Sequence, residues 1–189
     1  PANAKLHLTH LVLTKGSVAS DASGGAVQVM SGASALFEFV TFSGNTGGSD
    51  PNGGGALFIA QGASADIRSC LFSENSAPGG FGGAVWVEGR ASFQYTTFDG
   101  GNTGWGGGVT VYHSSSKHPG GSTLATFLSS TFSGNTAVHY GGSLSVEGSN
   151  VVAVVVGCSF TGGVCARGKE IFLNQNGKVH LLNSNVEAS

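Results

Sequence analysis

The chain aligns with itself six times, and this self-similarity limits its fold more than any composition value does. A Gly-Gly-small triplet recurs as Gly24-Gly25-Ala26, Gly54-Gly55-Ala56, Gly82-Gly83-Ala84, Gly106-Gly107-Gly108 and Gly141-Gly142-Ser143. A sixth copy, Gly168-Lys169-Glu170, loses the second glycine and the small residue. Successive copies lie 30, 28, 24, 35 and 27 residues apart. Between them runs a second pattern: Phe42-Ser43-Gly44-Asn45, Phe72-Ser73-Glu74-Asn75, Phe98 to Asn102, Phe132-Ser133-Gly134-Asn135 and Phe160-Thr161-Gly162-Gly163. A period of 20 to 50 residues marks stacked units, none of which can bury its apolar face alone.

Two columns of the stack show what each unit is. The third position after the first glycine of each pair reads Val27, Leu57, Val85, Val109, Leu144, Ile171, and two residues later comes Val29, Ile59, Val87, Val111, Val146, Leu173. This alternation with aliphatic inward positions is a β-strand with one buried face. Counting back from the Phe, Ala35, Ala65, Ala91, Ala125 and Ala153 lie seven before. Phe37, Ile67, Phe93, Phe127 and Val155 lie five before, and Val40, Cys70, Thr96, Ser130 and Cys158 two before. Leu6, Leu8, Leu11 and Leu13 repeat the pattern at the start, and Val186 closes it. The inward positions slip by one between minus three and minus two, which predicts a bend between two short strands. The expected fold is all-β: a single-stranded parallel β-helix over residues 1–189, with about six coils of 24–35 residues and about three short strands per coil.

Glycine pairs suit a tight corner where φ is positive or a side chain would clash. Asn45, Asn75, Asn102 and Asn135 recur at the other corner. Asn tolerates left-handed geometry, and stacked amides can bond one coil to the next, so this column reads as an internal asparagine ladder.

The glycine triplet with alternating aliphatics, followed by Phe-x-x-Asn after a strand, resembles the repeat of chlamydial polymorphic membrane proteins and related right-handed parallel β-helix proteins. The resemblance spans Leu6 to Val186. Such repeats occur in adhesins, autotransporter passengers, polysaccharide-degrading enzymes and surface scaffolds, so the resemblance implies a fold and leaves those roles open.

Composition narrows the partners. Only 10% of residues are charged, under half the usual ~25%, and the net charge is −2. That is no electrostatic footprint for nucleic acid or an anionic membrane. No apolar run approaches the ~20 residues of a membrane span. The chain starts at Pro1 with no signal-peptide pattern, so it reads as a processed product or an excised segment. Three cysteines are an odd count. Cys70 and Cys158 share a column three coils apart, roughly 14 Å and beyond disulfide reach. Cys158 and Cys165 either bridge across a turn or remain buried thiols.

Chemistry is sparse. A polysaccharide-active β-helix needs clustered carboxylates as acid and base or as calcium ligands. Here Glu88 and Glu147 share a column but flank Tyr112 two coils apart, at roughly 10 Å, at or beyond the ~6.5–9.5 Å of an inverting pair. Glu38 and Arg68, followed by Gln94, read as an outward charge ladder. Glu74 and Asp99 approach one corner, which makes at most a weak cation site. The expectation is no catalytic residue, no metal and no cofactor. An ice-binding face needs a paired threonine array, and the row Thr41, Leu71, Thr97, Thr131, Ser159 reads as single and interrupted.

The candidate contact surface is therefore Phe58 and Trp86, outward on adjacent coils, with His113, Lys117 and His118 in the insertion 112–122. The two aromatics fit a sugar platform, a protein contact or a pair covered by a neighbouring loop. The insertion reads as a solvated loop. The functional expectation is a non-catalytic extracellular or cell-surface structural or adhesive module, part of a larger protein or filament. The alternative is a polysaccharide-binding or polysaccharide-degrading β-helix. Both ends of the stack would leave strand edges open. Further protein segments or subunits are expected to cover them, and carbohydrate is a further candidate partner.

Overall fold

The computed structural model describes residues 3–114 and 118–187. It is a solenoid of parallel strands with no helix among the described residues. Three long sheets run its length. The alanine sheet has seven strands, from Lys5–Thr9 to Lys178–Leu182. The phenylalanine sheet has seven, from Val12–Thr14 to Asn185–Val186, and the glycine sheet six, from Val27–Val29 to Ile171–Asn174. A fourth, short sheet of three strands (Ser76–Phe81, Asn102–Trp105 and Thr136–Tyr140) lines one corner. Its strands lack regular apolar alternation, which is why column reading yields three strands per coil.

The columns stack in register. Val27, Leu57, Val85, Val109, Leu144 and Ile171 pair in succession along the glycine sheet. Leu13, Phe42, Phe72, Phe98, Phe132, Phe160 and Val186 do so along the phenylalanine sheet. Inside, the Phe rings lie face to face with centroids 4.5, 5.2, 4.7 and 4.4 Å apart from Phe42 to Phe160. Phe37, Phe93 and Phe127 meet this pile edge-on. Offset stacks and T-contacts are the favoured aromatic geometries, and one core runs through the solenoid.

The two glycines of a pair do different jobs. The first has positive φ in every copy, from 60° to 67°. The second has ordinary φ but no room: a Cβ on Gly55 or Gly107 would lie 1.9 Å from the carbonyl oxygen of Gly83 or Gly142 one coil on. Lys169 stands at the second position of the last copy, where it is exposed and no described coil stacks on it.

The slip between minus three and minus two is a left-handed corner. His10, Phe39, Ser69, Tyr95, Ser129, Gly157 and Asn183 all have φ between 48° and 63°. The residue after the corner turns inward, and in the later coils its side chain ties two coils together. Thr96 N–H donates to Ser130 Oγ, Ser130 N–H to Cys158 Sγ and Cys158 N–H to Ser184 Oγ. Each of these side chains also donates to the carbonyl two residues back, as does Cys70. The cysteines thus stand in for serine and threonine. All three are free, so Cys158 and Cys165 are not bridged.

Burial pushes the Cys70 and Cys158 thiols up from 9.0, against backbone hydrogen bonds that pull the other way. Alkylation of the native protein at neutral pH is expected to mark half-buried Cys165 and spare the other two, because the thiolate is the nucleophile. Mass spectrometry showing Cys70 modified as fast as in denaturant would contradict this. The folded thiols keep their protons to higher pH than the unfolded ones. Their contribution to stability is therefore complete below the ordinary thiol range and declines as pH rises through it.

The asparagine ladder has three members, not four. Asn45 Oδ1 accepts from Gly16 N–H (2.8 Å) and Asn75 Oδ1 from Asn45 N–H (3.0 Å). Asn135 Oδ1 accepts from Gly101 N–H (2.9 Å). Their Nδ2 groups donate to Leu13, Phe42 and Phe98 carbonyls, each one coil back. Asn102 is not in the row. The ladder position lies three residues after Phe98 and is Gly101, whereas Asn102 is exposed in the corner sheet, paired with Ser76 and Thr136. Asn75→Ala strands two buried groups and is expected to cost about 1–3 kcal/mol. Asn102→Ala should fall within about 0.5 kcal/mol. Denaturant melts of the two variants check the difference, and equal effects would contradict the assignment.

Candidate functional site

Phe58 and Trp86 point outward from the glycine sheet but do not form an open platform. They are only 9% and 4% exposed. The tight glycine corner folds Phe81, which immediately precedes Gly82-Gly83, back over Trp86 five residues on (centroids 5.4 Å). Phe58 leans on Trp86 at 4.7 Å. Phe81 also stacks on Trp105 at 5.0 Å and Tyr112 at 5.5 Å. The pile continues through Trp105 on His139 and Tyr140 on Phe172, with the Arg167 guanidinium 5.6 Å from the Tyr140 centroid. Ring faces in such a pile cover one another and present edges to solvent, whereas a sugar stacks on a ring face. Covering thus overturns the reading of Phe58 and Trp86 as a contact surface. The missed signal is the column Phe81, Trp105, Tyr140, which stands just before successive glycine pairs and aligns in the corner sheet.

The insertion leaves the glycine sheet after Tyr112 and rejoins the alanine sheet at Thr123. His113 is not solvated: it is 3% exposed, and among the described residues neither ring nitrogen has a hydrogen-bond partner. Its Cε1 packs against Gly121, where a Cβ would come within 2.8 Å of it. Gln61 lies against the same glycine, reaches the Ser122 carbonyl through Nε2 at 3.5 Å and leaves Oε1 unpartnered. Thr123 Oγ1 donates to the Glu88 carbonyl at 2.7 Å and holds the returning strand on the coil. The described ends of the insertion, 113–114 and 118–122, thus lie against the solenoid edge, with His118 exposed. Lys117 lies outside the described residues.

Glu170, Glu147, Glu38 and Asp99 are each engaged by neighbouring groups. Buried Glu170 accepts from Gly163 N–H (2.7 Å) and Ser143 Oγ–H (2.5 Å). Gly163 occupies the ladder position of its coil, so Glu170 supplies the acceptor that an asparagine supplies elsewhere. Buried Glu147 accepts from Ser145 Oγ at 2.6 Å and lies beside Tyr112 in register. Glu38 bridges His7 (3.1 Å) and Arg68 (3.5 Å) on the exposed face of the alanine sheet. Asp99 is engaged by Ser133 Oγ at 2.5 Å. Among the described residues, no three of His, Cys, Asp and Glu converge as metal ligands. The outward row Thr41, Leu71, Thr97, Thr131, Ser159 gains a second row beside it, Ser43, Ser73, Asp99, Ser133, Thr161. Leu71 and Asp99 interrupt the array.

The family described as a right handed beta helix region matches residues 9–186, nearly the whole stack just described. The chain belongs to the right-handed β-helix family. No curated protein and no solved structure matches it. Within this β-helix the side chains expected to carry contacts are thus divided: Phe58, Trp86 and His113 are buried, and His118 is exposed.

Proposed function

We propose that this β-helix is a non-catalytic extracellular or cell-surface structural and adhesive module, working as part of a larger surface protein or filament. One observation carries the reading. Among the described residues no three of His, Cys, Asp and Glu converge, and Glu38, Asp99, Glu147 and Glu170 are each tied to neighbouring groups of the scaffold. Among the described residues no helix is long and apolar enough to cross a membrane. Inward positions of the outermost described coils, Leu6, Leu173, Leu181 and Val186, are solvent-exposed. Other protein coils or subunits are the proposed partners there.

The test pairs an assay on pectin and alginate with sedimentation. The expected result is no turnover, together with self-association that rises with protein concentration. Turnover abolished by mutating Glu74 or Asp99 would overturn the non-catalytic reading, and a stable monomer across a wide concentration range would overturn the proposed end contacts.

A further inference from the structure

We infer that the outer face of the alanine sheet binds an extended acidic polypeptide segment along the column Arg90, Leu124, Val152, Lys178. These residues pair successively in register on four adjacent coils. Two half-buried aliphatic side chains are thus flanked by two exposed cations. Neither cation makes an ion pair among the described residues. Each borders a surface recess. One, of about 360 Å³, is lined by Gln61, Ser64 and Arg90, and the other, of about 570 Å³, by Asn150, Val152 and Lys178. Gly120, Gly121 and Ser122 line both, and no carboxylate lines either recess.

The spacing selects the occupant. Three coil steps of ~4.8 Å place the cations roughly 14 Å apart, and residues i and i+4 of an extended strand lie ~13 Å apart on one face. A segment of the form acidic-x-aliphatic-x-acidic, running along the solenoid axis, sets its carboxylates at Arg90 and Lys178. Its central side chain then lies over Leu124 and Val152. A second copy of this chain related by a two-fold axis would bring cations against cations, which charge complementarity disfavours. This inference deepens the adhesive reading proposed above and rests on it for its biological setting.

The test is fluorescence anisotropy of the full chain with a labelled Gly-Glu-Ser-Val-Ser-Glu-Gly peptide at low ionic strength. Saturable binding is expected. Adding salt should weaken it, as should moving one Glu two positions away. The double variant Arg90→Glu, Lys178→Glu should bind at least tenfold more weakly and prefer the Lys-for-Glu peptide by a similar factor. Leu124→Ser should weaken binding without reversing the charge preference. Equal binding by parent and double variant, or indifference to Glu spacing, would overturn the proposal. Tighter capture of a uronic oligosaccharide of equal charge would also overturn it. A negative result here leaves the turnover assay unchanged, so the two readings fail separately.

Discussion

Val87→Asp is expected to unfold the central coils. Val87 is fully buried and pairs in register with Ile59 and Val111, in the column that supplies one wall of the core. An aspartate there places an unpaired carboxylate among aliphatic side chains of the core. The expected loss is about 4 kcal/mol or more. For a chain of this size that corresponds to a fall of roughly 8–16 °C in melting temperature. Each coil contacts only its neighbours, so hydrogen exchange should accelerate first in the strands holding Ile59, Val87 and Val111. A melting temperature within a few degrees of the parent would show that Val87 does not face the core.

Gly107→Ala is expected to be nearly as damaging, for a different reason. Its Cβ would lie 1.9 Å from the carbonyl oxygen of Gly142 and 2.7 Å from the amide nitrogen of Thr136, both backbone atoms of the next coil. A side chain can rotate away from a clash, but these atoms move only if the coil moves, breaking the bond from Gly107 N–H to the Gly141 carbonyl. The expected cost is ~3 kcal/mol or more. Gly44→Ala is the control. There φ is +60° and nothing lies within 4 Å, so only the left-handed penalty of about 1–2 kcal/mol applies. Thermal melts that rank the two substitutions equally would show that close approach of coils does not explain the second glycine.

The long columns were legible because burial and register act on every coil alike. A position that must be aliphatic in one coil, such as Val85, must be so in its neighbours Leu57 and Val109. Features unique to one or two coils were not. The corner strand Ser76–Phe81 reads Ser-Ala-Pro-Gly-Gly-Phe, with no alternation to betray it. Asn102 fits the loose motif of any Asn after the Phe, and only register separates it from Gly101. Trp86 looked exposed because a strand pattern gives direction without showing what folds over it. The burial of His113 depends on Gln61, from another coil, and on Gly121 at the far end of its own insertion, and no local pattern encodes that meeting.

The left-handed corner running from His10 to Asn183 bears on what this scaffold can become. One backbone conformation is held there by histidine, phenylalanine, serine, tyrosine, glycine and asparagine alike. The stacked neighbours above and below impose it, so residue identity is released from the task of making the turn. Phe39 and Tyr95 project into solvent from this rail, 56% and 63% exposed. The molecule thus carries a ruler with a pitch of ~4.8 Å on which side chains can be exchanged while the fold stays the same. Along this edge, surface identity and architectural identity are inherited separately.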